Sequence, residues 1–255
     1  MKVTAIKTFV CHAYRTNWVF VKVMTDSGLY GVGEATLEYR EPTVVQAIME
    51  LERYLVGKDP HNIEAFWHDA CRDAYWRGGV VLMSALAGVE MALWDIKGKD
   101  LGVPVYKLLG GKVRDRVRVY CTQYSPESLP HPNARNAEER AENILYLNEE
   151  IGFTIVKTPI SFHSPDFRRL AENEGFAYTS YPIAPDARYP DNANGSLLTD
   201  KGLNYLINYV GKIKEIVGDK VGIAFDCGPG LTAIDALKFA KGVEPFNVMW
   251  LEDMV

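Results

Sequence analysis

Over residues 2–10 and 18–25 apolar and polar positions alternate, the period of strands with one buried face. Asp26, Ser27 and Gly28 supply a turn into a third apolar segment, LYGVGEA, so a three-stranded antiparallel sheet is predicted. Helical spacing follows. In EPTVVQAIMELERYLVG, Val44, Val45, Ile48, Leu51 and Leu55 form one face, with Pro42 tolerated in the first turn and Gly57 as the stop. A second helix is expected over residues 63–75, with Ile63, Phe66, Trp67 and Ala70 on its apolar side. The longest helical pattern is MSALAGVEMALWDIKGKDLG. There Ala85, Val89, Ala92, Leu93 and Ile96 keep the spacing, small residues permit close packing, and Gly102 and Pro104 end the helix. Strands followed by helices is the order of an α+β domain.

From Val117 onward strands and helices alternate. Strands are expected at 117–123, 154–159, 221–226 and 247–252, and helices at 137–151, 203–217 and 232–241. Gly152, Gly218 and Gly242 each follow a helix as a stop, and Thr232 with Asp235 three residues on resembles a capping box. Such units imply a parallel sheet with right-handed crossovers. The stretch 160–200, rich in Pro, Tyr, Asn and Asp, interrupts the rhythm and reads as a lid-like insertion at a strand's carboxyl end.

Two of these strands end in an acid. Asp226 closes VGIAFD and Glu252 closes NVMWLE, 26 positions further on, so both are expected at the same rim of a parallel sheet. In a β/α barrel that rim carries the chemistry. Oxygen ligands converging there suit a hard cation such as Mg²⁺, whereas the plainer reading makes each acid a cap for the next helix.

Composition excludes several alternatives. The formal net charge of −5 comes with no basic block, so no nucleic-acid partner is expected. No apolar run reaches membrane-spanning length, and the first residues lack the features of a signal peptide. Four scattered cysteines without a CxxC indicate neither a zinc knuckle nor a disulfide framework, and a cytoplasmic protein with buried thiols is expected.

The segment ALAGVEMALWDIKGKDLGVPVYKLLGG (residues 85–111) resembles the signature helix and linker of the mandelate racemase and muconate lactonizing branch of the enolase superfamily. GVGEA (31–35), VKTPI (156–160), AFDCG (224–228) and WLED (250–253) support that resemblance, and YWRGGVVLMSALAG (75–88) is similar to acid-sugar dehydratases of the galactonate type. The resemblance implies an α+β capping domain over residues 1–110 and the first four units of a modified (β/α) TIM-type barrel over 111–255, with the insertion at 160–200. It also implies Mg²⁺ as cofactor, ligated by Asp226, Glu252 and a carboxylate on a fifth strand, and a homo-oligomer acting on a small-molecule carboxylate. Because four βα units do not close an eight-stranded barrel, an incomplete reading frame that is inactive by itself is expected.

The family pattern is not fully kept. Where the branch commonly has Lys-x-Lys on the second strand, Lys157 matches the earlier lysine and Pro159 stands at the base position. Lys157 then serves as an electrostatic partner of the substrate carboxylate or as a structural salt bridge. Gly228 stands where some dehydratases carry a proton donor. His163 is a candidate acid or base if the insertion folds inward, and otherwise a solvated loop residue. Arg15, Asn17 and Trp18, in the loop that touches substrate in the family resembled, and Arg77 in YWRGG are candidate substrate contacts; for both arginines an ordinary surface role is the alternative. The leading expectation is a Mg²⁺-dependent sugar-acid dehydratase, with a racemase, epimerase or cycloisomerase, or a non-catalytic sugar-acid binder, as alternatives.

Overall fold

The structure is a computed structural model that describes residues 1–13, 16–72, 75–122, 128–160, 175–177, 197–228 and 231–255. It divides into two compact units, Met1–Arg116 and Val117–Val255. Among the described residues no helix is long and apolar enough to cross a membrane.

In the first unit β1 (Val3–His12), β2 (Asn17–Thr25) and β3 (Tyr30–Glu34) form an antiparallel sheet in sequential order. The predicted alternation is realised on β2, where Val19, Val21 and Val23 are fully buried while Trp18 is half exposed on the other face. The segment 42–57, predicted as one helix, is two: α1 (Glu41–Glu50) and α2 (Glu52–Leu55). The chain tightens at Leu51, whose N–H reaches back only to Ile48 O (3.0 Å), and Glu52 then accepts the N–H of Ile6 on β1 (3.2 Å). Three further helices follow: α3 (Ile63–Arg72), α4 (Val80–Leu101) and the short α5 (Val105–Leu108).

GVGEA acquires a physical reason here. A methyl group at Gly31 would lie 1.8 Å from Ala92 O, and one at Gly33 2.0 Å from Gly88 O. Helix α4 therefore rests directly on the backbone of β3, and glycine is required because any Cβ would occupy the helix's own carbonyl groups. The rim is tied by charge. Asp95 accepts the N–H of Val32 (2.9 Å), and Lys99 donates to Tyr30 O (2.8 Å) and to Asp95 (2.7 Å), so edge groups of β3 find partners on α4.

In the second unit β4 (Cys121–Thr122), β5 (Ile155–Pro159), β6 (Gly222–Asp226) and β7 (Leu251–Glu252) pair in parallel in that order. They alternate with α6 (Ala137–Glu149), α7 (Asp200–Val217) and α8 (Ala233–Val243), the arrangement of the first four units of a β/α barrel. Each helix begins with a side-chain cap. Asn136 accepts the N–H of Glu139, Thr199 that of Gly202 and Thr232 that of Asp235. Strands β4 and β7 are shorter than the apolar runs predicted. Val117 and Val119 are solvent-exposed, and Asn247, at φ 50°, turns the chain before β7.

Register decides which face carries what. Val156 pairs with Ile223 and Thr158 with Phe225, and these four residues are buried on the side packed by Ile144, Val210, Ile213 and Phe239. Period-two alternation sends Lys157, Ala224, Asp226 and Glu252 to the opposite face.

Candidate metal centre

Residues Pro159, Asp226 and Glu252 stand side by side in the ladder, at the carboxyl ends of β5, β6 and β7. Lys157 lies two residues earlier on β5, level with Ala224, and its four-carbon stem carries the ammonium up to the acids. Nζ is 3.0 Å from Asp226 Oδ2 and 2.5 Å from Glu252 Oε1. The lysine side chain is only 7% exposed, against 14% for Asp226 and 30% for Glu252, so the charges are balanced mainly by one another. Burial pulls the lysine's pKa down, but hydrogen bonds to Glu252 and Asp226 and the charge of both outweigh it. The net shift is upward, and the group is an ammonium ion at any physiological pH.

The remaining carboxylate oxygens are also engaged. Asp226 Oδ1 accepts the N–H of Gly228 (3.1 Å), and Glu252 Oε2 accepts the indole N–H of Trp250 (2.9 Å). The ring of Tyr120 meets that indole edge-on at 5.2 Å between centroids, and Lys157 Nζ lies 5.8 Å from the centre of the Tyr120 ring.

A third acid joins the group. One carboxylate oxygen from each of Asp226, Glu252 and Asp253 falls within a span of 4.8 Å. Regular strand geometry would send Asp253 to the face opposite Glu252. Its backbone instead adopts φ 47°, a left-handed conformation that aspartate tolerates better than most residues. Three anionic oxygens from short side chains form a donor set for a hard divalent cation, and the set contains no soft ligand. Cys227, between two of these acids in sequence, packs into the apolar core. Burial, reinforced by the charges of Asp226, Asp253 and Glu252, pushes its thiol up to about 12, and its side chain lies in the core rather than among the clustered oxygens.

The other predicted site residues belong to the first unit or fall outside the described residues. Asn17 and Trp18 begin β2 in the first unit. The amide side chain of Asn17 sits 3.2 Å from His12 Nδ1, and its backbone N–H donates to Glu41 (3.2 Å). Trp18 stands edge-on to Phe20 on the sheet face away from the core. Arg77 follows the highly exposed Tyr75 and Trp76 and lines a small cavity with Arg53, Tyr54, Cys71 and Leu86. Arg15 and His163 lie outside the described residues, as does most of the insertion at 160–200. Its described parts are anchored. Ala177 bridges Leu198, Thr199 donates to Gly175 O (2.7 Å), and Phe176 stacks on Tyr205 of α7.

Comparison with known proteins agrees with this architecture. Residues 2–110 match the family described as mandelate racemase / muconate lactonizing enzyme, N-terminal domain. Over its whole length the chain is 38% identical to a D-galactonate dehydratase family member of Halomonas elongata, covering 60% of that protein. Over 94% of its length it is 36% identical to a D-mannonate dehydratase of Caulobacter vibrioides, covering 56% of that one. Among solved structures, a member of the enolase superfamily from Salmonella Typhimurium superposes with a TM-score of 0.79 at 26% identity, over 98% of this chain and 60% of that one. An enolase from Pantoea ananatis with bound D-gluconate and Mg superposes at 0.75 with 30% identity, over 99% of this chain and 59% of that one. The fold and the matches together place the chain in the enolase superfamily, with residues 2–110 matching the N-terminal domain of its mandelate racemase/muconate lactonizing enzyme branch. It spans about 60% of the length of the curated relatives it matches.

Proposed function

We propose that the protein is a Mg²⁺-dependent dehydratase of a sugar acid, removing the proton alpha to a carboxylate and then the beta hydroxyl to leave a 2-keto-3-deoxy acid. The observation that carries this reading is the convergence of Asp226 and Glu252, with Lys157 between them, at one rim of the parallel sheet. The dehydratase names of the relatives, and the D-gluconate and Mg in the Pantoea ananatis structure, support the substrate class and the cation.

Asp226 and Glu252 would hold the cation, with Asp253 near enough to take part. When bound, Mg²⁺ supplies concentrated positive charge against the second negative charge that develops as the alpha proton leaves. Lys157 adds a fixed ammonium to the same face, suited to pairing with the substrate carboxylate. It stands at the earlier-lysine position of the strand, and we assign it this electrostatic role rather than proton transfer. Pro159 offers no proton-transferring group, so the alpha proton goes to another residue, and His163, shortly after β5, is the candidate we assign within this chain. The absence of a second lysine, with Pro159 in its place, also weighs against a two-base racemase. The vacancies at Pro159 and Gly228 keep one other reading in view, a sugar-acid binder without turnover.

The test pairs binding with chemistry. Mg²⁺ should raise the thermal midpoint of the wild-type protein, and Asp226→Asn or Glu252→Gln should abolish that rise, because a ligand that binds only the folded state stabilises it by mass action. In a form spanning the full length of its relatives, a panel of sugar acids should yield 2-keto-3-deoxy products with the wild type and not with either variant, whereas residues 1–255 by themselves should be silent. An unchanged Mg²⁺ response in both variants would overturn the ligand assignment, and binding of a sugar acid without any product would favour the binder.

A further inference from the structure

Lys157 bridges Asp226 and Glu252 without any help from Trp250, yet the indole N–H of Trp250 donates to Glu252 Oε2 at 2.9 Å. Glu252 needs such a contact. It ends a two-residue strand, its side chain is 30% exposed, and it has more rotatable bonds than Asp226, whose Oδ1 is fixed by the N–H of Gly228. Lys157 engages Oε1 alone, and one contact leaves the carboxylate able to turn about it. A second donor on Oε2 fixes the plane.

The indole is itself braced. Trp250 stands two residues before Glu252, just ahead of β7, and its N–H reaches that acid's carboxylate. Tyr120 immediately precedes β4 and Trp250 immediately precedes β7, at opposite edges of the four-stranded sheet, yet their rings meet edge-on at 5.2 Å. The sheet is curved enough for the two edges to touch across its inner face. At that level β6 contributes only the methyl group of Ala224, which leaves room for the two rings.

We propose that Trp250 is a positioning residue for the cation site: braced by Tyr120, its indole N–H orients Glu252 so that Oε1 is the oxygen turned toward Asp226 and the metal. The proposal rests on the reading of Asp226 and Glu252 as Mg²⁺ ligands. Partners of a ligating side chain commonly set metal affinity by about 10- to 100-fold.

The experiment is Mg²⁺ calorimetry on wild type and Trp250→Phe, with thermal denaturation of both in EDTA. Phenylalanine keeps an aromatic ring against Tyr120 and removes the donor. Weakening of the Mg²⁺ Kd by about 10-fold or more, with an EDTA midpoint close to that of wild type, is expected. An EDTA midpoint that falls while the Kd stays the same would assign Trp250 to packing and overturn the proposal. The wild type supplies an independent readout that survives a poorly folding variant. The side-chain N–H resonance of Trp250, assigned through the ring's own backbone connections, should shift as Mg²⁺ saturates the wild type and stay still in Glu252→Gln. A stationary resonance in saturated wild type also overturns the proposal. Absence of Mg²⁺ binding by the wild type would be a different failure, of the metal reading itself and of this inference with it, whereas wild-type binding unaffected by Trp250→Phe rejects the inference alone.

Discussion

The two units treat the charges on their sheets in opposite ways. In the first, Asp95, Lys99, Glu41 and Glu52 hold backbone groups of β1, β2 or β3, and the buried sheet face is apolar apart from Thr25 at its end. In the second, Lys157, Asp226 and Glu252 stand on a strand face and are satisfied largely by one another. A charge that completes a backbone hydrogen bond belongs to the scaffold, because removing it orphans a peptide group. A charge balanced by another side chain is exchangeable, since a cation of similar reach can take its partner's place. The contrast is one of degree, since Asp226 also accepts the N–H of Gly228 and Lys99 also pairs with Asp95.

The first unit's side of this comparison breaks most readily at Gly33. Valine there would place its Cβ 2.0 Å from Gly88 O, where neither backbone can retreat, and overpacking of this kind costs about 3 kcal/mol or more. Urea denaturation of Gly33→Val should show that loss, with Mg²⁺ binding by whatever folds left intact. A variant as stable as wild type would mean that α4 does not lie on β3 as described.

Exchangeability in the second unit is sharpened by Lys157→Met. In EDTA the variant loses its internal cation and should be less stable by about 2–3 kcal/mol, below the full cost of breaking a fully buried pair because both acids keep some solvent. Added Mg²⁺ should restore that stability and bind more tightly than to wild type, because no ammonium opposes it. Weaker Mg²⁺ binding by Lys157→Met, measured by calorimetry, would show that the lysine assists the metal.

The smallest effect concerns Glu41. Hydrogen bonds from its own backbone N–H and then from that of Asn17 hold its carboxyl below the ordinary value of 4.5, and the Thr16 hydroxyl adds to them. A depressed folded pKa gives stability that is present above the unfolded value and is lost as pH falls through the folded one. The gap in urea midpoint between wild type and Glu41→Gln should therefore be open at neutral pH and close in acid below 4.5. A gap independent of pH would mean that the carboxylate's charge plays no part.

Much of this was legible in the sequence because periodicity fixes faces. Alternation on β2 foretold which valines are buried, and two apolar runs ending in acids one βα unit apart foretold that Asp226 and Glu252 stand side by side. What escaped depends on geometry that periodicity does not carry. Asp253 joins the acids only through a left-handed backbone at the end of β7, and a regular strand would have sent it away. The helix break at Leu51 arises from tightened local hydrogen bonds and a tertiary contact from Glu52 to β1. Trp250 reads as one more apolar residue in NVMWLE, and only the fold reveals that its N–H meets Glu252. GVGEA was visible as a pattern, but its cause, a helix lying on bare backbone, required both elements in place.

The chemistry of Cys227 bears on how this protein can be instrumented. A thiol raised to about 12 and packed in the core stays almost wholly protonated at neutral pH, so maleimides and disulfide exchange pass it by. Cys11, solvent-exposed near the end of β1, is the most accessible thiol in its stead, with Cys71 and Cys121 only partly exposed. With Cys71 and Cys121 replaced, a fluorophore or spin label settles on Cys11 in the first unit, which gives an optical or magnetic reporter while Cys227 beside Asp226 keeps its native thiol.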